Sequence, residues 1–187
     1  MAKNYIEKII YGMSNIHLAK VKEDGQFEAP VQILGAKSVE CSFEVAEKGI
    51  FADNKQVYNA KAISGGSGTL EVLGLTPDER RMIMGDDGDL GFKMGTDLKM
   101  PQFALLFEME KADGKKVLYA IYNVQFSPNG ISATSVEDGI EEQTVSLEFT
   151  AIAGAGDKNL FYYAVDTAEA GAETVAGSWF TQVQMPQ

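Results

Sequence analysis

Apolar and polar residues alternate with a period of two along most of this chain, the pattern of strands that bury one face. Residues 3–11 and 15–21 read as short strands, followed by a turn at Asp24-Gly25. "PVQIL" and "KSVECSFEVA" come next, and in the second Cys41, Phe43 and Val45 alternate with Glu40, Ser42 and Glu44. "SGTLEVLGL" puts Leu70 and Val72 on one face, and "QTVSLEFTAIA" sets Val145, Leu147, Phe149 and Ala151 against Thr144, Ser146, Glu148 and Thr150. "LFYYAVD" is a last strand. Eight or more short strands predict a mainly β protein, an antiparallel β-sandwich or barrel.

Residues 101–127 break the simple pattern. Asp113-Gly114 between two apolar runs predicts a hairpin whose central residues both take positive φ. Phe103, Leu105, Phe107 and Met109 face one way, with Ala104 and Leu106 opposite. On the return strand Leu118, Ala120, Tyr122, Val124 and Phe126 share a face, with Val117, Tyr119 and Ile121 opposite. Antiparallel sheets usually keep one face wet, so two dry faces predict cover, and other copies of the protein are the expected source.

One helix is plainly written over 77–84. Thr76 is its N-cap, Pro77 its first residue, Glu79 completes a capping box and Gly85 is the stop. Residues 47–66 show no strong period and predict either an irregular hairpin or a long excursion from the sheet. Residues 167–178 are small and weakly helical, and Trp179 and Phe180 stand in an arm-like tail over 167–187.

Composition narrows the function. The 187 residues, 45% hydrophobic, suit one domain over 1–187 with a sizeable core. No run approaches the ~20 apolar residues of a membrane span, and the N-terminus lacks a signal-peptide core, so the expectation is synthesis and folding in the cytoplasm. A single cysteine, Cys41, excludes an internal disulfide and reads as a small buried hydrophobe. With 16 basic against 27 acidic residues the net charge is −11, which disfavours tight binding to nucleic acid.

Candidate chemistry is thin. His17 and Cys41 both sit at strand positions, which gives no support to a nucleophile–base pair. "ISGGSGTL" lacks the lysine of a phosphate loop and leads into a strand. Asp86, Asp87 and Asp89 form either a weak calcium site or a solvated turn, without the ligand spacing of an EF-hand. Glu141 and Glu142 lack the apolar pocket that would split their pKa values. No zinc spacing, cofactor motif or catalytic constellation is present, and the expectation is a non-enzyme without metal or cofactor.

The order of segments resembles the major tail proteins, or tail tube proteins, of long-tailed phages and prophages of Gram-positive bacteria. The likeness runs through "YGMSNIHLAKV", "APVQILGAKSVECSFE", "FADNKQVYNA", "SGTLEVLGLTPDERRMIMG", "PQFALLFEMEKADGKKVLYAIYNVQFS", "IEEQTVSLEFTAIA" and "FYYAVD…WFTQVQ". The resemblance implies a β-sandwich with one flanking short helix, hexameric rings stacked into a tube, and a virion tail location after synthesis in the host cytoplasm. It implies tape-measure, tail-terminator and distal tail proteins as partners, and DNA passing through the lumen without specific binding. On that reading 47–66 is the stacking loop, with Phe51, Val57 and Tyr58 at the ring–ring contact. Glu40, Ser42, Glu44, Thr144, Ser146, Glu148 and Thr150 would line the lumen or else face outer solvent. Trp179 and Phe180 would anchor the C-terminal arm on a neighbour or fold back on their own subunit.

Two alternatives stay open. One is the tube of a contractile tail, a bacteriocin particle or a type VI-like machine. The other is a carbohydrate-binding or adhesion β-sandwich, with Tyr119, Tyr122, Tyr162, Tyr163 and Trp179 as its sugar platform.

Overall fold

The computed structural model describes residues 5–88, 90–131, 142–154 and 159–186. A turn of 3-10 helix, Tyr5–Lys8, leads into β1 (Ile10–Lys20) and the short β2 (Val31–Gln32). Two long strands follow, β3 (Ala36–Ala52) and β4 (Lys55–Val72), then helix α1 (Pro77–Met84). The central hairpin is β5 (Gln102–Lys111) and β6 (Lys116–Phe126). β7 (Val145–Ala151), β8 (Tyr162–Asp166) and a second helix, α2 (Ala172–Ser178), complete the fold. The protein is mainly β, as the alternation predicts, although residues 5–8 are helical rather than extended and Asp89 and Glu141 lie outside the described residues.

The strands form one antiparallel sheet in the order β2-β1-β5-β6-β7-β4-β3, with β8 also paired to β6. β6 therefore has two partners on one edge. Its first half, Val117–Ile121, pairs with β8. Its end, Val124–Phe126, pairs with β7. The fork lies at Asn123, whose φ is 49° and whose carbonyl accepts from Ile152 N–H at 3.4 Å, while Tyr122 N–H donates to Phe161.

Asn123 also corrects the predicted faces of the hairpin. The β5–β6 register slips between Phe103↔Val124 and Leu105↔Ile121, a bulge that inserts one residue on β6. Val124 and Phe126 thereby join Ile121 on one face, while Leu118, Ala120 and Tyr122 keep the other. A bulge resets the side-chain alternation, which counting by twos misses.

Two cores result. The larger joins Phe103, Leu105, Ile121 and Phe126 to Leu70, Leu147 and Phe149 from β4 and β7, so both halves of the sheet curl around it. α1 packs Ile83 and Met84 onto it, held by the predicted capping box: Glu79 N–H donates to Thr76 Oγ1, Thr76 N–H donates to the Glu79 carboxylate, and Gly85 closes the helix at φ 75°. The smaller core lies on the outer face of the hairpin and gathers Ala104, Leu106, Leu118, Ala120, Tyr122 and Trp179.

That smaller core overturns the expectation that other copies must cover the hairpin. The protein roofs the face itself, with α2 and the segment after it. Trp179 is 1% exposed and its indole N–H points to the Tyr119 carbonyl at 3.4 Å. Tyr122 donates its hydroxyl to the Gln184 carbonyl at 2.5 Å, and Phe180 packs against the His17 ring at a centroid distance of 4.8 Å. Burying an aromatic of on the order of 200 Å² at about 25 cal/mol per Å² gives roughly 5 kcal/mol, enough to seat a helix as short as α2.

The two turns also exchange roles. At Asp113-Gly114 only the glycine has positive φ, 78°, and Lys111 N–H reaches the Lys115 carbonyl, a longer loop with the glycine at its left-handed position. The two-residue turn with both φ values positive is Asp53-Asn54, at 51° and 60°, joining β3 to β4. Residues 47–66 are thus the outer part of an antiparallel ribbon paired from Ala52↔Lys55 inward.

Candidate functional site

Three strands build one polar surface. β4 pairs with β3 on one side and β7 on the other, and the registers align Ser38–Glu71–Ser146, Glu40–Thr69–Glu148 and Ser42–Ser67–Thr150 as rungs. Gln125 of β6 extends the last rung. Neighbouring strands lie about 4.8 Å apart, so the Glu40 and Glu148 backbones stand roughly 10 Å from each other. The opposite side of the same strands carries Leu70, Val72, Leu147 and Phe149 of the core. Alternation alone dictates this division.

All seven residues predicted as polar strand positions fall on or beside this surface. Glu40, Ser42, Ser146, Glu148 and Thr150 sit on the rungs, Glu44 continues the row beyond Ser42 opposite Gly65, and Thr144 immediately precedes β7. The sequence reading missed Ser38, Ser67, Thr69, Glu71 and Gln125. Thr69 and Glu71 alternate with Leu70 and Val72, and that signal was there to be used. Glu71 is the most connected of them: Thr144 donates to its carboxylate at 2.7 Å and Ser38 at 3.4 Å. A shallow hollow of about 540 Å³ runs between Glu40, Ser42, Ser67, Thr69, Glu148 and Thr150. No lysine or arginine stands on the three rungs; Lys37, paired with Glu142, marks their border.

Gly68 makes the surface possible from behind. It lies between Cys41 and Phe149 in the register, and a Cβ there would meet the Glu40 carbonyl at 2.1 Å and the Phe149 ring at 2.5 Å. Phe149 fills the place a side chain would take. Burial beside it pushes the Cys41 thiol up, away from the reactive thiolate, in keeping with a structural cysteine.

The second surface is the ribbon. β4 pairs with β7 only over Gly66–Val72, so beyond Glu44↔Gly65 the two long strands have no third partner among the described residues. Its apolar side chains stay in water: Phe51 is 69% exposed, Tyr58 62% and Val57 60%, and Val45, Ile50 and Ile63 are also exposed. Polar support is local, from the Glu47–Lys61 pair and the Asn59 amide, which together hold the Glu47 carboxyl below its ordinary pKa. A second exposed apolar group, Tyr5, Ile6, Ile9, Ile10 and Tyr11, occupies the N-terminal segment.

The C-terminal arm is bound to its own subunit through Trp179 and Phe180, one of the two placements open to it in the sequence. Its root is pinned by Lys111, whose ammonium reaches Asp166 at 2.6 Å and Asp113 at 3.6 Å. Lys116 does the same for the buried Glu108 at 2.7 Å, to which Ser14 also donates.

Chemistry beyond this is sparse. Asp86 uses its carboxylate to accept the Gly88 and Lys93 N–H groups, which fixes the loop after α1. Among the described residues no three His, Cys, Asp or Glu side chains meet at a metal-sized site, and no helix is long and apolar enough to cross a membrane. Tyr122 and Trp179 are buried and Tyr119 stacks on Phe107, so the aromatics do not make a flat exposed platform for a sugar.

A family model described as phage tail tube protein matches residues 7–183. No curated protein matches the sequence.

Proposed function

The chain belongs to the phage tail tube protein family, a structural and non-enzymatic component of the virion tail, and from that premise we propose that six copies close into a ring and that rings stack into the conduit for DNA. The observation that carries this reading is the ribbon. It holds six large apolar side chains on a two-stranded arm that no other described part of the same subunit covers. A lone two-stranded hairpin is marginal in water, and exposed apolar surface of this kind marks an interaction site. A neighbouring copy in the next ring supplies the cover, with Phe51, Val57 and Tyr58 in the contact.

The three-rung surface of β3, β4 and β7 then lines the lumen. Contacts that neutralise phosphates hold nucleic acid by releasing counterions. A wall of Glu40, Glu71 and Glu148 set among serine and threonine offers no such hold, so DNA passes without being bound. Tape-measure, tail-terminator and distal tail proteins are the partners this assembly requires at its interior and ends.

Negative-stain microscopy of concentrated protein tests the ribbon directly. Phe51→Ser combined with Tyr58→Ser is expected to keep native circular dichroism and to abolish tubes; tubes of unchanged length from that variant would assign stacking to another element.

A further inference from the structure

The loop after β6 carries the protein's single Asn-Gly pair, Asn129-Gly130. Ser127 N–H donates to the Glu148 carbonyl at 2.8 Å and ties the start of this loop to β7. Past that tie, neither the Asn129 side chain nor the Gly130 N–H makes a hydrogen bond among the described residues. A Cβ at Gly130 would meet nothing within 4 Å. Asn129 borders an open hollow of about 250 Å³ shared with Ser127, Pro128, Ser146 and Glu148. Water therefore reaches the amide at the margin of the acidic rungs.

We propose that Asn129 is a modification site at which the protein turns its own amide into a carboxylate, with no enzyme involved. The Gly130 backbone nitrogen attacks Asn129 Cγ; the new N–Cγ bond closes a five-membered imide, the bond from Cγ to Nδ2 breaks and ammonia leaves. Water then adds to either imide carbonyl and the bond from that carbon to the ring nitrogen breaks. Opening one way gives aspartate and the other gives isoaspartate, with one amide exchanged for one carboxylic acid that ionises at neutral pH. Glycine suits the step because it has no Cβ to obstruct the approach and the widest backbone freedom. The other asparagines precede Tyr, Ile, Lys, Ala, Val or Leu, each with a side chain in the way. The product sets one more negative charge beside Glu148, and if the rungs line a lumen, which rests on the reading above, every copy adds to its repulsion of phosphate.

Peptide mass spectrometry of the purified full-length protein, held at mildly alkaline and mildly acidic pH, tests this. The expected result is a gain of one mass unit confined to the peptide with residue 129. It appears as two chromatographic forms, one labelled by an isoaspartyl methyltransferase, and forms faster at alkaline pH because the nitrogen attacks as its conjugate base. Gly130→Ala should slow conversion sharply with circular dichroism unchanged, and Asn129→Gln should remove the signal. Conversion in the urea-unfolded protein but not the folded one would overturn the proposal, as would equal conversion at the other asparagines or an unaltered rate in Gly130→Ala. Tube assembly plays no part in this readout, so it stands or falls separately from the ring model.

Discussion

Two long antiparallel hairpins share this sheet and meet opposite fates. β5–β6 is buried on both faces, one by the main core and the other by the protein's own α2 and Trp179. The outer β3–β4 ribbon carries comparable apolar side chains and is buried on neither. Both are built from extended residues joined by a tight turn, so secondary structure does not separate them. What separates them is whether a later stretch of the same chain returns to lie across the face. The first hairpin is finished at the level of one molecule; the second leaves its apolar side chains exposed there.

The contrast can be broken most severely at Trp179. Trp179→Ala should cost about 3–5 kcal/mol, as for a buried large aromatic, read as a fall in the urea midpoint. A loss below about 1 kcal/mol would mean the cover is incidental to the hairpin. Next comes the base of the ribbon, where it is still part of the sheet. Gly68→Ala forces a methyl against the Glu40 carbonyl and Phe149 and should cost about 1–3 kcal/mol by overpacking. Gly65→Ala, whose Cβ would meet only the Ala151 carbonyl at 3.9 Å, should be nearly neutral. Thermal melts of the pair locate the boundary between sheet and ribbon.

A smaller effect depends on pH. Burial alone would raise the Asp166 carboxyl, but the Lys111 ammonium and the Ala168 N–H outweigh it and hold the pKa below the ordinary value. A carboxyl depressed in the folded state contributes stability above its unfolded pKa, and that contribution disappears as pH falls through the folded value. Asp166→Asn should therefore melt below the parent at neutral pH, and the gap should close on acidification through the carboxylate range. A gap that persists there would mean Lys111 does not pin the cover through charge. The smallest effect belongs to the ribbon. Phe51→Ser with Tyr58→Ser should change monomer stability by no more than about 0.5 kcal/mol, because those side chains are already wet in the single molecule.

Legibility in the sequence follows local physics. The helix at 77–84 could be read to the residue, because Thr76, Pro77, Glu79 and Gly85 each satisfy a requirement of the helix end itself. The polar rungs could be read because alternation is a property of one strand. Asn123 could not, since an inserted residue leaves no mark in composition and simply reverses the parity downstream. The ribbon was half legible, as one of two readings of 47–66, for the opposite reason: with both faces in water, nothing forces alternation, and Lys48, Ala60 and Ala62 look like loop. α2 was legible only as a weakly helical stretch within 167–178, because a run of small residues with no side-chain cap carries little helical signal of its own. The tail tube family showed in the order of segments, while the expectation that two dry faces demand other copies failed at the hairpin, whose second face the protein covers with Trp179 and α2.

The fork at Asn123 has a mechanical corollary. Because β6 gives one stretch to β8 and another to β7, a pull on the C-terminus first peels five residue pairs and the Trp179 plug from the outside of the hairpin. Nothing in that first event touches the pairing of β7 with β4. The molecule thus has a tear line, and load applied at its tail is spent along it before the acidic wall deforms.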